Sequence, residues 1–222
     1  MSLLLHIDTS LSVASVCLSN GKDSIALSVN EHQQGHAAWL HQAIDEMIKK
    51  SGHTIKNLEA ISVSIGPGSY TGLRVGLSSV KGLCYSLSIP LIAITTTELI
   101  ASAVTNEAED MIFPGIDARR MEVYSAAYDK ILNEIKTPHS LIVEETSFAE
   151  FLDTHKILFC GDGCKKLQTI LRHENVTYSN TVANATHLAQ LAFNRFEKKV
   201  FADLAYTEPL YVKEFYSSPQ KN

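Results

Sequence analysis

What most constrains this chain is the order in which its apolar periods change. Three short segments, residues 3–8, 12–18 and 24–29, carry strand-type patterning before any helical period begins. Asn20-Gly21 separates the last two and supplies the residues a tight hairpin turn requires, so consecutive antiparallel pairing is expected. Over residues 35–50 the period becomes helical, with Ala37, Leu40, Ile44, Met47 and Ile48 on one face, and Ser51-Gly52 ends it. Residues 60–65 (AISVSI) read as a strand buried on both faces. A glycine-rich turn, a helix over 71–87, a strand over 91–94 and a third helix follow, the last with N-cap chemistry at residues 95–98. A β-β-β-α-β-α-β-α order is a meander extended by crossover units, which implies a mixed sheet with helices on its faces.

The pattern restarts after the polar stretch 105–110. Strands are expected near 111–116, 122–128, 131–135 and 156–160, with helices near 147–153 and 165–172. This is the element order of ribonuclease-H-like and actin-like half-domains, so the expected fold is α/β, duplicated, with mixed sheets. The expected lobes are residues 1–106 and a smaller 107–222, with the helix over 184–199 packing back on the first.

With 222 residues and 45% hydrophobic content, the chain has enough apolar mass for buried cores, which excludes a disordered or fibrous protein. A net charge of -5 offers no broad basic surface to a nucleic acid, so RNA contact would be local or made by a partner. Cys17, Cys84, Cys160 and Cys164 form no C-x-x-C pair and read as buried free thiols suited to a reducing, cytoplasmic setting. No stretch approaches the roughly 18 apolar residues of a membrane span, and no basic region precedes the first apolar run, so neither membrane insertion nor export is expected.

Residues 66–74 (GPGSYTGLR) are the most specific stretch. Three glycines, a proline and a capping hydroxyl between a buried strand and a helix make a tight turn whose backbone can approach something closely. A phosphate cradle is one reading and a structural turn the other, because the lysine of a P-loop does not follow. This stretch resembles the signature of the bacterial TsaB or YeaZ family. The match extends to Ile7-Asp8-Thr9-Ser10, to residues 116–120 (IDARR) with Glu122 and Tyr124, to Gly161-Asp162-Gly163 and to Pro209-Leu210-Tyr211.

The resemblance implies a two-lobed actin-like scaffold without transfer chemistry of its own, required for threonylcarbamoyl modification of tRNA adenosine. It implies pairing with a TsaD-like catalytic subunit, a small TsaE-like ATPase in the assembly, self-association as a homodimer, and contact with tRNA only indirectly. No cofactor would be required by this chain, since ATP and Mg belong to the assembled complex.

Residue by residue, rival chemistries stay visible. Asp8, Thr9 and Ser10 end the first strand where actin-like ATPases place a metal-linked carboxylate and a phosphate turn, but Leu11 and Ser12 continue without the glycine a phosphate wrap needs. Asp8, Asp117 and Asp162, with Gly161 and Gly163 beside the last, could line a cleft and hold Mg2+ in a small ATPase or kinase; alternatively Arg119 and Arg120 pair with these carboxylates. His32 and His36 have a zinc-compatible spacing without an evident third ligand. No G-x-S-x-G elbow points to a serine nucleophile.

The second helix suggests a docking surface. Leu73, Leu77, Val80, Cys84 and Leu87 form the sheet-facing stripe, and about 100° away lie Gly72, Gly76, Ser79 and Ser86 with Leu83. Two glycines inside a helix imply close approach of another element. The expectation is that this stripe, with His36, Trp39 and Ala43 of the first helix, faces a partner; packing within the chain is the alternative.

Overall fold

The structure, a computed structural model, describes residues 2–31 and 35–213, with His36 as backbone. Two five-stranded mixed sheets organise it. In the first, β1 (Leu3–Asp8) is central. It pairs antiparallel with β2 (Ala14–Asn20), which pairs antiparallel with the edge strand β3 (Asp23–Asn30). On its other side β1 runs parallel to β4 (Ala60–Ser64), and β4 parallel to β5 (Leu91–Ile94). Both β1 and β4 are buried along their whole length, as continuous apolar runs covered on two faces should be.

The second sheet repeats the plan with β6 (Met111–Asp117) in the middle. β7 (Glu122–Asp129) and β8 (Glu134–Ile142) form the antiparallel side. β9 (Ile157–Cys160) and β10 (Val176–Tyr178) form the parallel side.

Helices divide the space around these sheets into three cores. α1 (His36–Lys50) and α2 (Tyr70–Leu87) cover the outer face of the first sheet, where Leu40, Ile44, Leu77, Val80 and Cys84 meet Leu5, Ile7 and Val63. α4 (Ala149–Leu152) and α5 (Cys164–Ile170) cover the outer face of the second, over Phe113, Phe148 and Phe159. Between the sheets lie α3 (Thr96–Ser102) and α6 (Ala185–Glu197), whose Leu99, Ile100, Leu188 and Ala192 join Leu4, Ile92, Ile112 and Tyr128 in one continuous core. Arg195 Nη2 on α6 clasps both carboxylate oxygens of Glu98 on α3, at 2.9 and 2.6 Å.

Differences from the sequence expectations are local. Ile131 is exposed in a turn, because the Asp129 carboxylate accepts from the backbone N–H groups of Ile131 and Asn133, and β8 starts later than expected. Asn184, as N-cap, fixes the start of α6 by accepting from the Thr186 amide.

Candidate functional site

Open α/β sheets place their functional groups outside the carboxyl ends of parallel strands, and the end of β1 carries the first candidate residues. That end is formed by Asp8, Thr9 and Ser10, all buried. The Asp8 Oδ1 atom accepts from the Ser10 amide at 3.0 Å, the Ser10 hydroxyl at 2.6 Å and the Ser64 hydroxyl at 2.5 Å. Thr9 donates its hydroxyl to the Gly72 carbonyl at 2.7 Å, and the Ser69 amide donates to the Ser10 carbonyl at 2.7 Å. The Ser69 hydroxyl caps α2 through the Gly72 amide. The first turn of α2 is therefore seated directly on the end of β1.

Seating it requires glycine. A Cβ on Gly68 would fall far inside van der Waals distance of the Ser10 carbonyl, one on Gly72 would meet the Thr9 carbonyl in the same way, and one on Gly76 the Thr9 hydroxyl. This corrects the expectation that Gly72 and Gly76 face a partner: both are buried against the protein's own first strand. Ala43 is likewise in the core, and Trp39 packs against it half-buried. Of the expected docking residues, Ser86 is exposed; Ser79 and Leu83 are half-buried, Ser79 sharing a 3.2 Å hydrogen bond with His41 that ties α2 to α1. The His32 and Gln33-Gln34 stretch lies outside the described residues, and so does the His36 side chain.

On the second lobe the structure brings Asp117 and Asp162 together. The Asp162 carboxylate accepts from the Asp117 amide at 2.9 Å, while the Asp117 carboxylate takes the Lys166 ammonium at 2.8 Å and the Arg119 amide at 2.7 Å. The partnering cation is thus Lys166 rather than an arginine guanidinium; the hydrogen bond from Lys166 holds Asp117 below the usual carboxylate range. Gly161 and Gly163 serve packing, since a Cβ on either would press on the Gly115 carbonyl of β6. Arg119 and Arg120 both adopt positive φ, 67° and 48°, and both are exposed.

Sequence reading singled out Pro209-Leu210-Tyr211 but missed the path of the segment that carries it. Residues 202–213 run from the edge of β5, where the Ala202 amide donates to the Leu91 carbonyl, across the 66–74 turn. There the Leu210 amide donates to the Ile65 carbonyl at 2.7 Å, and Arg74 lies 4.0 Å over the Tyr70 ring while its Nε donates to the Tyr211 hydroxyl at 3.0 Å. The segment reaches the second lobe through Lys213, whose ammonium contacts both Glu122 oxygens at 2.8 and 2.7 Å. Glu122 also accepts from the Ser140 hydroxyl, and Lys213 first, then Ser140, keeps its carboxyl below the usual range.

The thiols are quiet: burial pushes Cys84 and Cys164 up to about 12 and Cys160 well above its ordinary value. Among the described residues no group of three potential metal ligands assembles, and no helix is long and apolar enough to cross a membrane. A groove of about 330 Å³ opens between β3 and α1, lined by Ala26, Ser28, Ala43, Glu46, Met47 and Lys50 among others.

Comparison with known proteins fits this architecture. Residues 29–217 match the family described as "TsaD: tRNA N6-adenosine threonylcarbamoyltransferase". The "tRNA threonylcarbamoyladenosine biosynthesis protein TsaB" of Haemophilus influenzae is 29% identical over 95% of this chain and 83% of its own length. Its namesake in Bacillus subtilis is 33% identical over 56% of this chain and 54% of its own length, and that of Escherichia coli 30% identical over 60% and 57%. The matched regions thus span little more than half of these last two relatives. The solved structure of "YeaZ from Pseudomonas aeruginosa" superimposes with a TM-score of 0.84 at 23% identity, covering 95% of this chain and 100% of that one. The fold is the duplicated, actin-like, ribonuclease-H-like one, and the chain belongs to the family of TsaD, with curated relatives that are TsaB proteins.

Proposed function

We propose that this chain is a non-catalytic scaffold of tRNA threonylcarbamoyladenosine biosynthesis, a cytoplasmic subunit that binds and stabilises a TsaD-like catalytic protein. The single observation that carries the reading is the fate of the Asp8 to Ser10 turn. In a working nucleotide site its amides and hydroxyls would face a phosphate; here the Thr9 hydroxyl donates to the Gly72 carbonyl, and the Ser10 amide and hydroxyl donate to the Asp8 carboxylate. ATP and Mg then belong to the assembled complex, with a TsaE-like ATPase, and tRNA is met through the partner. Homodimers would form when the catalytic subunit is absent.

The docking face moves with the corrected orientation of α2. Ser78, Gly82 and Ser86, spaced four apart, are exposed, and a Cβ at Gly82 would meet nothing within 4 Å. Beside them α1 exposes Ala37, Ala38 and His41. A pair of helices with short outward side chains lets a partner helix approach closely. Gly82→Arg is expected to abolish co-elution with a TsaD-like subunit and the gain in threonylcarbamoyl transfer to tRNA that this chain gives. Stability of the isolated chain should stay within about 0.5 kcal/mol or rise, as for other surface changes. Undiminished co-elution and transfer would remove the proposed face.

A further inference from the structure

We propose that the β6–β7 turn, residues 118–121, presents Arg119 and Arg120 as a contact for the phosphate backbone of RNA. The inference rests on the proposed function, in which this chain stands beside a tRNA-modifying subunit, and adds a point where the chain itself touches the nucleic acid.

The backbone of the turn carries the first observation. Arg119 and Arg120 are consecutive residues in the left-handed region, whereas the other non-glycine positive φ values among the described residues, at Ser88, Leu132 and Lys199, are isolated. A side chain in that region crowds its own carbonyl oxygen, which glycine avoids. The β2–β3 hairpin of the same chain takes the easy course, with Gly21 at φ 60°. Around the arginines the strain is held in place by many bonds. The Ala118 amide donates to the Glu122 carbonyl at 3.1 Å, the Glu122 amide to the Arg119 carbonyl at 3.2 Å, and the Val143 amide to the Met121 carbonyl at 2.8 Å. Lys166 braces both ends, reaching the Asp117 carboxylate at 2.8 Å and the Glu122 carbonyl at 2.9 Å. Strain over-determined in this way marks a place where the side chains matter more than local backbone ease.

The second observation is charge. Both arginines are exposed, and among the described residues neither guanidinium has an ion pair or hydrogen-bond partner. The acids nearby are engaged elsewhere: Asp117 with Lys166, Glu122 with Lys213, and Asp162 Oδ1 with the Asp117 amide. Two adjacent guanidiniums without an internal counter-ion, at the carboxyl end of β6, fit a ligand that repeats its negative charge, and the guanidinium fork matches phosphate oxygens. With a net charge of -5 the chain has no broad basic surface, so this contact is local and supplements binding by the partner.

Binding of a tRNA transcript to the assembled complex across a salt series tests the contact. The full chain joined to a TsaD-like subunit is compared as the parent, as Arg119→Lys/Arg120→Lys and as Arg119→Gly/Arg120→Gly. The glycine pair should weaken tRNA binding about tenfold or more at low salt. It should also lower the slope of log affinity against log salt by about 1.5, since each neutralised phosphate contributes about 0.7 to 0.9. The lysine pair should keep the parental slope. In the isolated chain the glycine pair should raise the urea midpoint, because the turn is relieved of its strain. Parental affinity and slope in the glycine pair would overturn the contact. Loss of its co-elution with the TsaD-like subunit would do the same, placing the turn in a protein interface, and so would a lower urea midpoint, which would show that the arginines serve the fold. If the parent itself does not join the catalytic subunit, the proposed function fails first and this contact falls with it.

Discussion

Gly72→Ala is expected to destabilise the protein by about 3 kcal/mol, at the upper end of what inserting one carbon into a packed site costs. The substitution favours the helix itself by about 0.8 to 1.0 kcal/mol, so the sign of the result separates two explanations of the residue. If glycine were there for an outward docking stripe, alanine would stabilise the isolated chain. Because the added Cβ would overlap the Thr9 carbonyl, backbone held at the end of the central strand by a side chain hydrogen-bonded to α2, overlap wins. Gly82→Ala in the same helix is the control: with open space around its Cβ it should gain close to the full propensity difference, about 1 kcal/mol. Urea unfolding of the two variants measures both, and equal effects would discard the seating of α2 on β1.

The second large effect is one of pH. His6 lies wholly buried in the middle of β1, its ring nitrogens each 2.7 Å from a serine hydroxyl, Ser62 on one side and Ser19 on the other. Burial lowers its pKa from 6.5 to about 3, because the imidazolium would lose its water and meet only two neutral partners. Between those values the unfolded chain binds a proton that the folded one refuses. Stability from this group is therefore present above about pH 6.5 and falls as the solution is acidified toward 3, by up to about 1.4 kcal/mol per pH unit. From pH 7 to pH 5 the loss amounts to about 2 kcal/mol. His187 at the start of α6, its pKa also lowered by burial, adds in the same direction. His6→Gln should be less stable at pH 7 yet lose much less on acidification, a difference read by denaturant unfolding at the two pH values. An unchanged slope in the variant would remove His6 as its source.

Much of the fold was legible because it is written in local periodicity. The meander, the full burial of β4, and the apolar stripe from Leu73 to Cys84 follow from spacing alone. The side toward which the glycines of α2 point was not. A helical wheel fixes angles between residues but not which neighbour occupies the remaining side, and here that neighbour is Thr9, 63 positions earlier in the chain. The path of residues 202–213 was hidden for the same reason. Lys213 and Glu122 are 91 positions apart, and neither segment has a period that announces the other. Ile131 misled in the opposite way: an apolar residue was read as strand, while Asp129 had already committed the backbone to a turn.

The position of α6 carries a consequence for how such a chain is made. Its Leu188 and Ala192 complete the core over Leu4 and Ile92, so the inner face of the first sheet stays uncovered on the ribosome until α6 has emerged. Strands made long before that helix must wait for it, and a nascent fragment that stops before residue 185 presents that apolar face to chaperones rather than to its own helix.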